Sequence, residues 1–402
     1  MRKALVVLVA AGLLLLPGCW SRRELTEVSF AGVIGFDWVD DQYLVTIAIH
    51  SPGQTPGEKG QPTNRAVWTI SEPAPSPDVA FAQIDEILPR SLTLSHVRSV
   101  IFGEEMARRG IGPVMDVLLR SVEIRPTAWV GVTNGRASEL LAAQPRQGVM
   151  TEGPLGYHDA AHNRSSISPA RRLTEVAKIM QEEGIDLTLP LFRRANKEAP
   201  NPERAHEEGA LRPKPEDAFE IVYGGAGVFR GDKLVAWLTP REARGHMWGI
   251  NRVRHGIVSV GCPKPKKNQR IVFRLRGSSG RATLGTANGQ LQGVINVKVV
   301  ADVNEITCRE PVVSPEDTNL LSELLARRVQ EYVLASVDIG KREGSDMFGF
   351  GQSLFRRAPA AFRSRQAKWD KVLAEMPVTV QVDAQVVRLG QIRRRFRWQE
   401  AH

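Results

Sequence analysis

The sequence predicts an α+β protein of several domains behind an N-terminal leader, with three mixed α/β domains built on largely antiparallel or mixed sheets. Three observations predict it. Segments with the two-residue period of half-buried strands recur along the chain, and Val378, Val380, Val382, Ala384 and Val386 form the cleanest of them. Helical stripes are interleaved with them; the longest sets Leu320, Leu321, Leu324, Leu325, Val329, Val333 and Leu334 on one face. A charged, proline-rich stretch without period, residues 193–217, then divides the chain in two. The boundaries read as leader 1–18, N-terminal domain 19–200, linker 201–216, middle domain 217–262 and C-terminal α+β domain 263–402, the last containing the long helix.

The leader has Arg2 and Lys3 ahead of an apolar run from Ala4 to Leu16, long enough for a secretory signal and too short to span a bilayer. Gly18 and Cys19 close it in the layout of a lipobox, with Pro17 in place of the usual small or hydroxylated residue. Cys19 is therefore the candidate lipidation site and the mature N-terminus. Acyl chains at Cys19 would tether a water-soluble body to the outer face of the membrane, since each buried methylene contributes ~0.8 kcal/mol. No later segment reads as a transmembrane helix.

Phe30 to Trp38 and Tyr43 to Ile49 read as a hairpin around Asp40-Asp41, and Val67 to Ile70 as a short strand. Ser76-Pro77-Asp78 opens a helix with a serine cap and a proline in its first turn, and Pro89 stops it. His96 to Phe102 and Thr127 to Thr133 are strands, with helices from Glu104, from Pro113 and from Ser138 around them. A helix covers Ala170 to Gln181, and Ile185 to Leu191 is extended. Phe219 to Phe229 and Lys233 to Leu238 form a hairpin, followed by a helical turn from Pro240. Strands follow at Ile257 to Val260, Arg270 to Arg276 and Gly293 to Glu305. The long helix opens at Ser314-Pro315-Glu316-Asp317 and runs to about Lys341. Short helices near Ser353 and from Arg363 to Leu373 lead to the final strand.

The chain has 402 residues, 42% of them hydrophobic and 24% charged, an ordinary globular balance that excludes wholesale disorder. Its net charge of +10 fits a neighbouring anionic membrane or a solvated arginine-rich surface, and nucleic acid is not expected as a partner. Beyond Cys19 there are two cysteines, Cys262 and Cys308, which form either a disulfide or two buried thiols. No catalytic set emerges. The glycines from Gly225 to Gly231 are followed by a strand, where a phosphate loop needs a helix. Gly277-Ser278-Ser279-Gly280 lacks the spacing of a nucleophile elbow. His158 and His162 have no glutamate between them to act as a general base, and Asp37, Asp40 and Asp41 read as a solvated turn. No metal or other cofactor is expected. The turn Asp346 to Gly351, with Phe348 and Phe350, is either a packed joint after the long helix or a partner-contact loop.

Several of these segments together resemble the C-subunit lipoproteins of spore germination receptors, the Ger(x)C family. They are Gly18 to Leu25, Gly35-Phe36-Asp37, Ser95 to Gly103, Ile124-Arg125-Pro126, Gly227-Val228-Phe229, Leu234 to Leu238, Asp346 to Gly351 and Trp369. Ser21 departs from the acidic residue usual in the family after the tryptophan. The resemblance implies a lipoprotein of three α+β domains on the outer face of the spore inner membrane. It implies two integral membrane subunits as partners, a response to small nutrients, and no enzyme activity. Direct nutrient binding and a scaffolding role both remain open under it. The alternative is a lipid-anchored extracytoplasmic solute-binding protein, against which the helix pair and long strands of the C-terminal half count.

Overall fold

The computed structural model describes residues 27–50, 67–142, 166–195, 220–263, 269–287, 289–308 and 317–388, together with Arg2. Two sheets organise them. The first runs in the order β3-β2-β1-β5-β6-β7-β8-β9, with β4 paired to β1 off that path. Its strands are β1 (Val28–Val39), β2 (Gln42–His50), β3 (Val67–Ala74), β4 (Ser91–Thr93), β5 (Ser99–Phe102), β6 (Trp129–Thr133), β7 (Thr188–Ala195), β8 (Glu220–Arg230) and β9 (Lys233–Leu238). The second is β10 (Ile257–Gly261), β11 (Arg270–Ala287), β12 (Gln290–Ile306) and β13 (Val378–Arg388), in that order.

In the first sheet β1, β5, β6 and β7 are parallel, and antiparallel strands flank them on both sides. Parallel neighbours need crossovers, and helices supply them. These are α1 (Pro77–Ile87), α2 (Glu104–Arg109), α3 (Gly112–Arg120), α4 (Ala137–Ala142) and α5 (Leu173–Gln181). α1 starts as the sequence predicts, with Ser76 accepting from the Val79 amide and Pro77 in the first turn. Both faces of the sheet are covered. Phe36, Phe102, Ile84 and Val114 lie in the core on one side, and Val33, Ile101, Leu140 and Leu141 in that on the other.

The second sheet packs one face on α6 (Pro240–Gly249), α7 (Asp317–Glu343), α8 (Phe350–Arg357), α9 (Pro359–Gln366) and α10 (Trp369–Glu375). Ile295, Val297, Val299, Ala301 and Val303 turn inward, and Leu321, Leu325, Val329 and Val333 of α7 share that core. The predicted mixture of helices and strands is what the molecule has.

The residues grouped as a middle domain, 217–262, are shared out between the sheets: β8 and β9 extend the first, and β10 opens the second. Other boundaries differ locally. The strand expected from His96 begins at Ser99, because Arg98 donates its amide to the Gly32 carbonyl outside the ladder. β11 continues eleven residues past Arg276, through the Gly277 to Gly280 segment, with a bulge between Leu275 and Gly277. Within it Gly280 lies directly on the Trp248 carbonyl, where a side chain has no room. Among the described residues no helix is long and apolar enough to cross a membrane.

Candidate functional site at the joint between the sheets

The core does not stop between the two sheets. Ala226, Val228 and Leu238 from the end of the first sheet belong to the same cluster as the α6, α7 and β11 to β13 side chains. α6 is the element wedged into this joint. Thr239 caps it by accepting from the Glu242 amide while Glu242 accepts from the Thr239 amide, a reciprocal capping box, and Pro240 sits in the first turn. Gly245 then meets the Tyr332 carbonyl of α7 at a separation only a hydrogen atom allows.

Polar groups are threaded through the joint. His246 and Thr188 share a 3.0 Å hydrogen bond between Nε2 and Oγ1, and the Phe348 ring stands edge-on to the imidazole at 5.2 Å. Burial pushes the His246 pKa down to about 3, with the Arg171 charge adding to it, so the ring is neutral. Its Nδ1 has no hydrogen-bond partner among the described residues. Arg171 is itself buried, and burial together with the Arg252 charge lowers its pKa to about 10 against the opposing pull of Glu175. Arg252 reaches Glu175 of α5 at 2.5 Å and ties the segment after α6 to the first domain.

The densest contact is Asp346. Its carboxylate accepts from the Phe350 amide at 2.9 Å, the Gly351 amide at 2.6 Å and Trp369 Nε1 at 2.9 Å. It thereby caps α8 from three residues ahead of the Gly349 N-cap and fastens α10 to it. Its own amide donates to Asp186 Oδ2 at 2.8 Å, and its carbonyl accepts from the Asp186 amide at 3.0 Å. Asp186 Oδ1 accepts from the Gly231 amide in the β8–β9 turn. Burial, helped by the neighbouring Asp186 charge, raises the Asp346 pKa to about 6 against the pull of its three donors. Asp186 is raised as well, also chiefly by burial. Gly184, at φ +77°, packs on Gly351 and accepts from the Gln352 amide at 2.6 Å. Ser345 Oγ donates to the Phe229 carbonyl.

Phe348 and Phe350 are 7% and 1% exposed, so the Asp346 to Gly351 turn is a packed joint. Its expectation as a partner contact is corrected by that burial: neither ring presents a surface to a partner. Cys262 and Cys308 are joined by a disulfide with a Cα–Cα distance of 5.8 Å, closing across the first residue of β11. Asp37 is buried rather than solvated. It accepts from the Ala137 and Ser138 amides and caps α4, and burial raises its pKa. The glycines from Gly225 to Gly231 lie in the β8–β9 hairpin. Cys19, His158 and His162 lie outside the described residues. No group of three or more His, Cys, Asp or Glu that could hold a metal occurs among the described residues. The arrangement fastens the two sheets to each other through hydrogen bonds and a shared core. Sequence reasoning missed Asp186, His246 and the role of Asp346; the signal available for Asp346 was an acid shortly ahead of a helix start.

Two family matches divide the chain at the proline-rich stretch, so that β9 and most of β8, which complete the first sheet, fall in the second match. A family described as "Spore germination protein N-terminal domain" matches residues 21–194, and "Spore germination B3/ GerAC like, C-terminal" matches residues 224–390. The chain is 24% identical over 373 residues to the "Putative spore germination protein YfkR" of Bacillus subtilis (strain 168), covering 91% of each chain. It is 23% identical over 398 residues to "Spore germination protein KC" of the same organism, covering 96% of this chain and 95% of the relative. Among solved structures it shares the fold of the GerBC protein, with a TM-score of 0.53 at 17% identity, over 88% of this chain and 96% of the other.

Proposed function

Since this chain belongs to the GerAC-like family of spore germination proteins, we propose that it is the lipid-anchored subunit of a germinant receptor. The observation that carries this reading is the pair of family matches, which together span most of the chain in order. In this reading Cys19 is acylated, the body lies on the outer face of the spore inner membrane, and its partners are two integral membrane subunits. A small nutrient is the signal to which the complex responds. The subunit performs no reaction of its own. Its two sheets, locked through Asp346, Asp186 and His246, act as one body that couples its partners.

Deletion of the gene, followed by germination assays with single amino acids, sugars and nucleosides, tests the reading. Loss of the response to at least one nutrient is expected. Normal germination with every nutrient, in a host cleared of its other receptors, contradicts it.

A further inference from the structure

The parallel strands of the first sheet give the domain two distinct ends. Val28 of β1 pairs with Ser91 of β4, and Val33 pairs with Ser99 of β5, which pairs with Trp129 of β6. The segments that lead into β4, β5 and β6 therefore gather at the end where β1 begins. Leu94 donates its amide to Glu123 across two of them, and His96 packs edge-on against Phe30 of β1 at 4.8 Å. The opposite end carries the Asp40-Asp41 turn, about 36 Å away along β1 at ~3.3 Å per residue.

Three large aliphatic side chains are left exposed at the first end. Val122, beyond α3, is 99% exposed; Ile87, at the end of α1, is 58% exposed; Leu119, in the last turn of α3, is 44% exposed. Arg98 and Arg125 are exposed there too, while Asp85 and Glu123 turn their carboxylates onto the Leu92 and Leu94 amides. Glu27 and Glu86 keep the charge mixed, so the aliphatic groups carry the argument. At 99% exposure Val122 buries almost none of its side chain in the fold. The chain itself says what lies opposite. Only eight residue steps separate Cys19 from Glu27, the residue before β1, a reach of at most ~29 Å.

We propose that this end of the first sheet rests on the lipid bilayer, with Val122, Leu119 and Ile87 seated in its interfacial region. The inference deepens the proposed function and rests on its lipid-anchored reading. It adds the face that the body turns to the membrane. A tether this short holds whichever end it leaves from near the bilayer, and aliphatic groups on that end lose water on contact. The opposite end, with the β1–β2 turn, then faces away from the lipid.

The test supplies its own tether, so that lipidation of Cys19 does not enter. The chain from residue 20 onward, which keeps every strand and helix named above, carries an N-terminal hexahistidine. It is held on mixed phosphatidylglycerol and phosphatidylcholine vesicles by a nickel-chelating lipid. A fluorophore is placed at Val122→Cys or, at the far end, at Gln42→Cys; the bonded Cys262 and Cys308 leave labelling selective. A nitroxide lipid is the quencher. The expected result is quenching at residue 122 at least roughly twice that at residue 42, reduced when Leu119→Asp and Ile87→Asp are added. Equal quenching at the two positions, or more at residue 42, overturns the proposal and leaves the Val122 end to a protein partner. Failure of the anchoring reading shows separately, as a full chain that stays in the membrane fraction after Cys19→Ala.

Discussion

The two sheets solve burial in opposite ways. β1 of the first is buried on both faces along nearly its whole length, between helices on either side. β12 of the second alternates, with one face on the α7 side and the other turned toward water. The first sheet is thus a closed three-layer unit, and the second is a one-sided layer whose core depends on α6 to α10 staying in place. The second sheet also carries the disulfide, at the open end of β10, β11 and β12. The difference teaches where the molecule is vulnerable: in the polar joint that holds helices against a one-faced sheet.

Breaking the joint has the largest expected effect. Asp346→Ala orphans two buried amides and the Trp369 indole N–H, each worth about 1–3 kcal/mol, and lowers stability by roughly 4 kcal/mol in urea melts. Cleavage by limited proteolysis appears first in α8 to α10, while the first sheet stays protected. The pH dependence sharpens the comparison. The folded pKa of Asp346, about 6, lies above the ordinary 3.8, so its contribution is full below pH about 4 and is lost as pH rises through about 6. The folded pKa of His246, about 3, lies below the ordinary 6.5, so its contribution is present above pH about 6.5 and is lost as pH falls. The two oppose each other between pH 4 and 6. His246→Gln is expected to give stability that falls with rising pH across this window, and Asp346→Asn stability that rises; chemical denaturation at several pH values reads both.

The disulfide comes next. It closes a loop with a sequence separation of 46, so paired Cys262→Ser and Cys308→Ser lower stability by about 3 kcal/mol, seen as a melting shift confined to the second sheet. Gly245→Ala drives a methyl group into the Tyr332 carbonyl and costs roughly 2 kcal/mol, measured by denaturant midpoint. At the small end stands Arg108→Ala, which removes an i,i+4 pair with Glu104 on the surface of the first domain. Its effect stays within about 0.5 kcal/mol.

The same contrast governs what could be read from sequence. Alternation shows where one face is wet, so Ile295 to Val303 and Val378 to Val386 were legible as strands; that they pair in parallel comes from the structure. Helix caps were legible too, since Ser76-Pro77 and Pro240 announce themselves chemically. The joining of β7 to β8 across the proline-rich stretch was not, because strand pairing over a long interval leaves no local mark. Nor was the continuation of β11, since Gly277 to Gly280 has the composition of a turn while its conformation is set by α6 lying against it. A packed joint at Asp346 to Gly351 was one of the two sequence readings, but its polar network across the sheets was hidden. Asp346, Asp186 and His246 are polar residues in glycine-containing or short connecting sequence, and only the packing of two domains buries them. Asp37 looks solvated in the sequence for the same reason: α4, which covers it, comes a hundred residues later.

The proposed tether at Cys19 and the proposed role in spore germination stand or fall together. Spores whose only copy of the gene carries Cys19→Ala test both most directly, by nutrient-triggered germination scored beside fractionation of the protein. The protein is expected to leave the membrane fraction and the response to its nutrient to be lost with it. Full germination by spores whose protein has left the membrane would contradict this expectation.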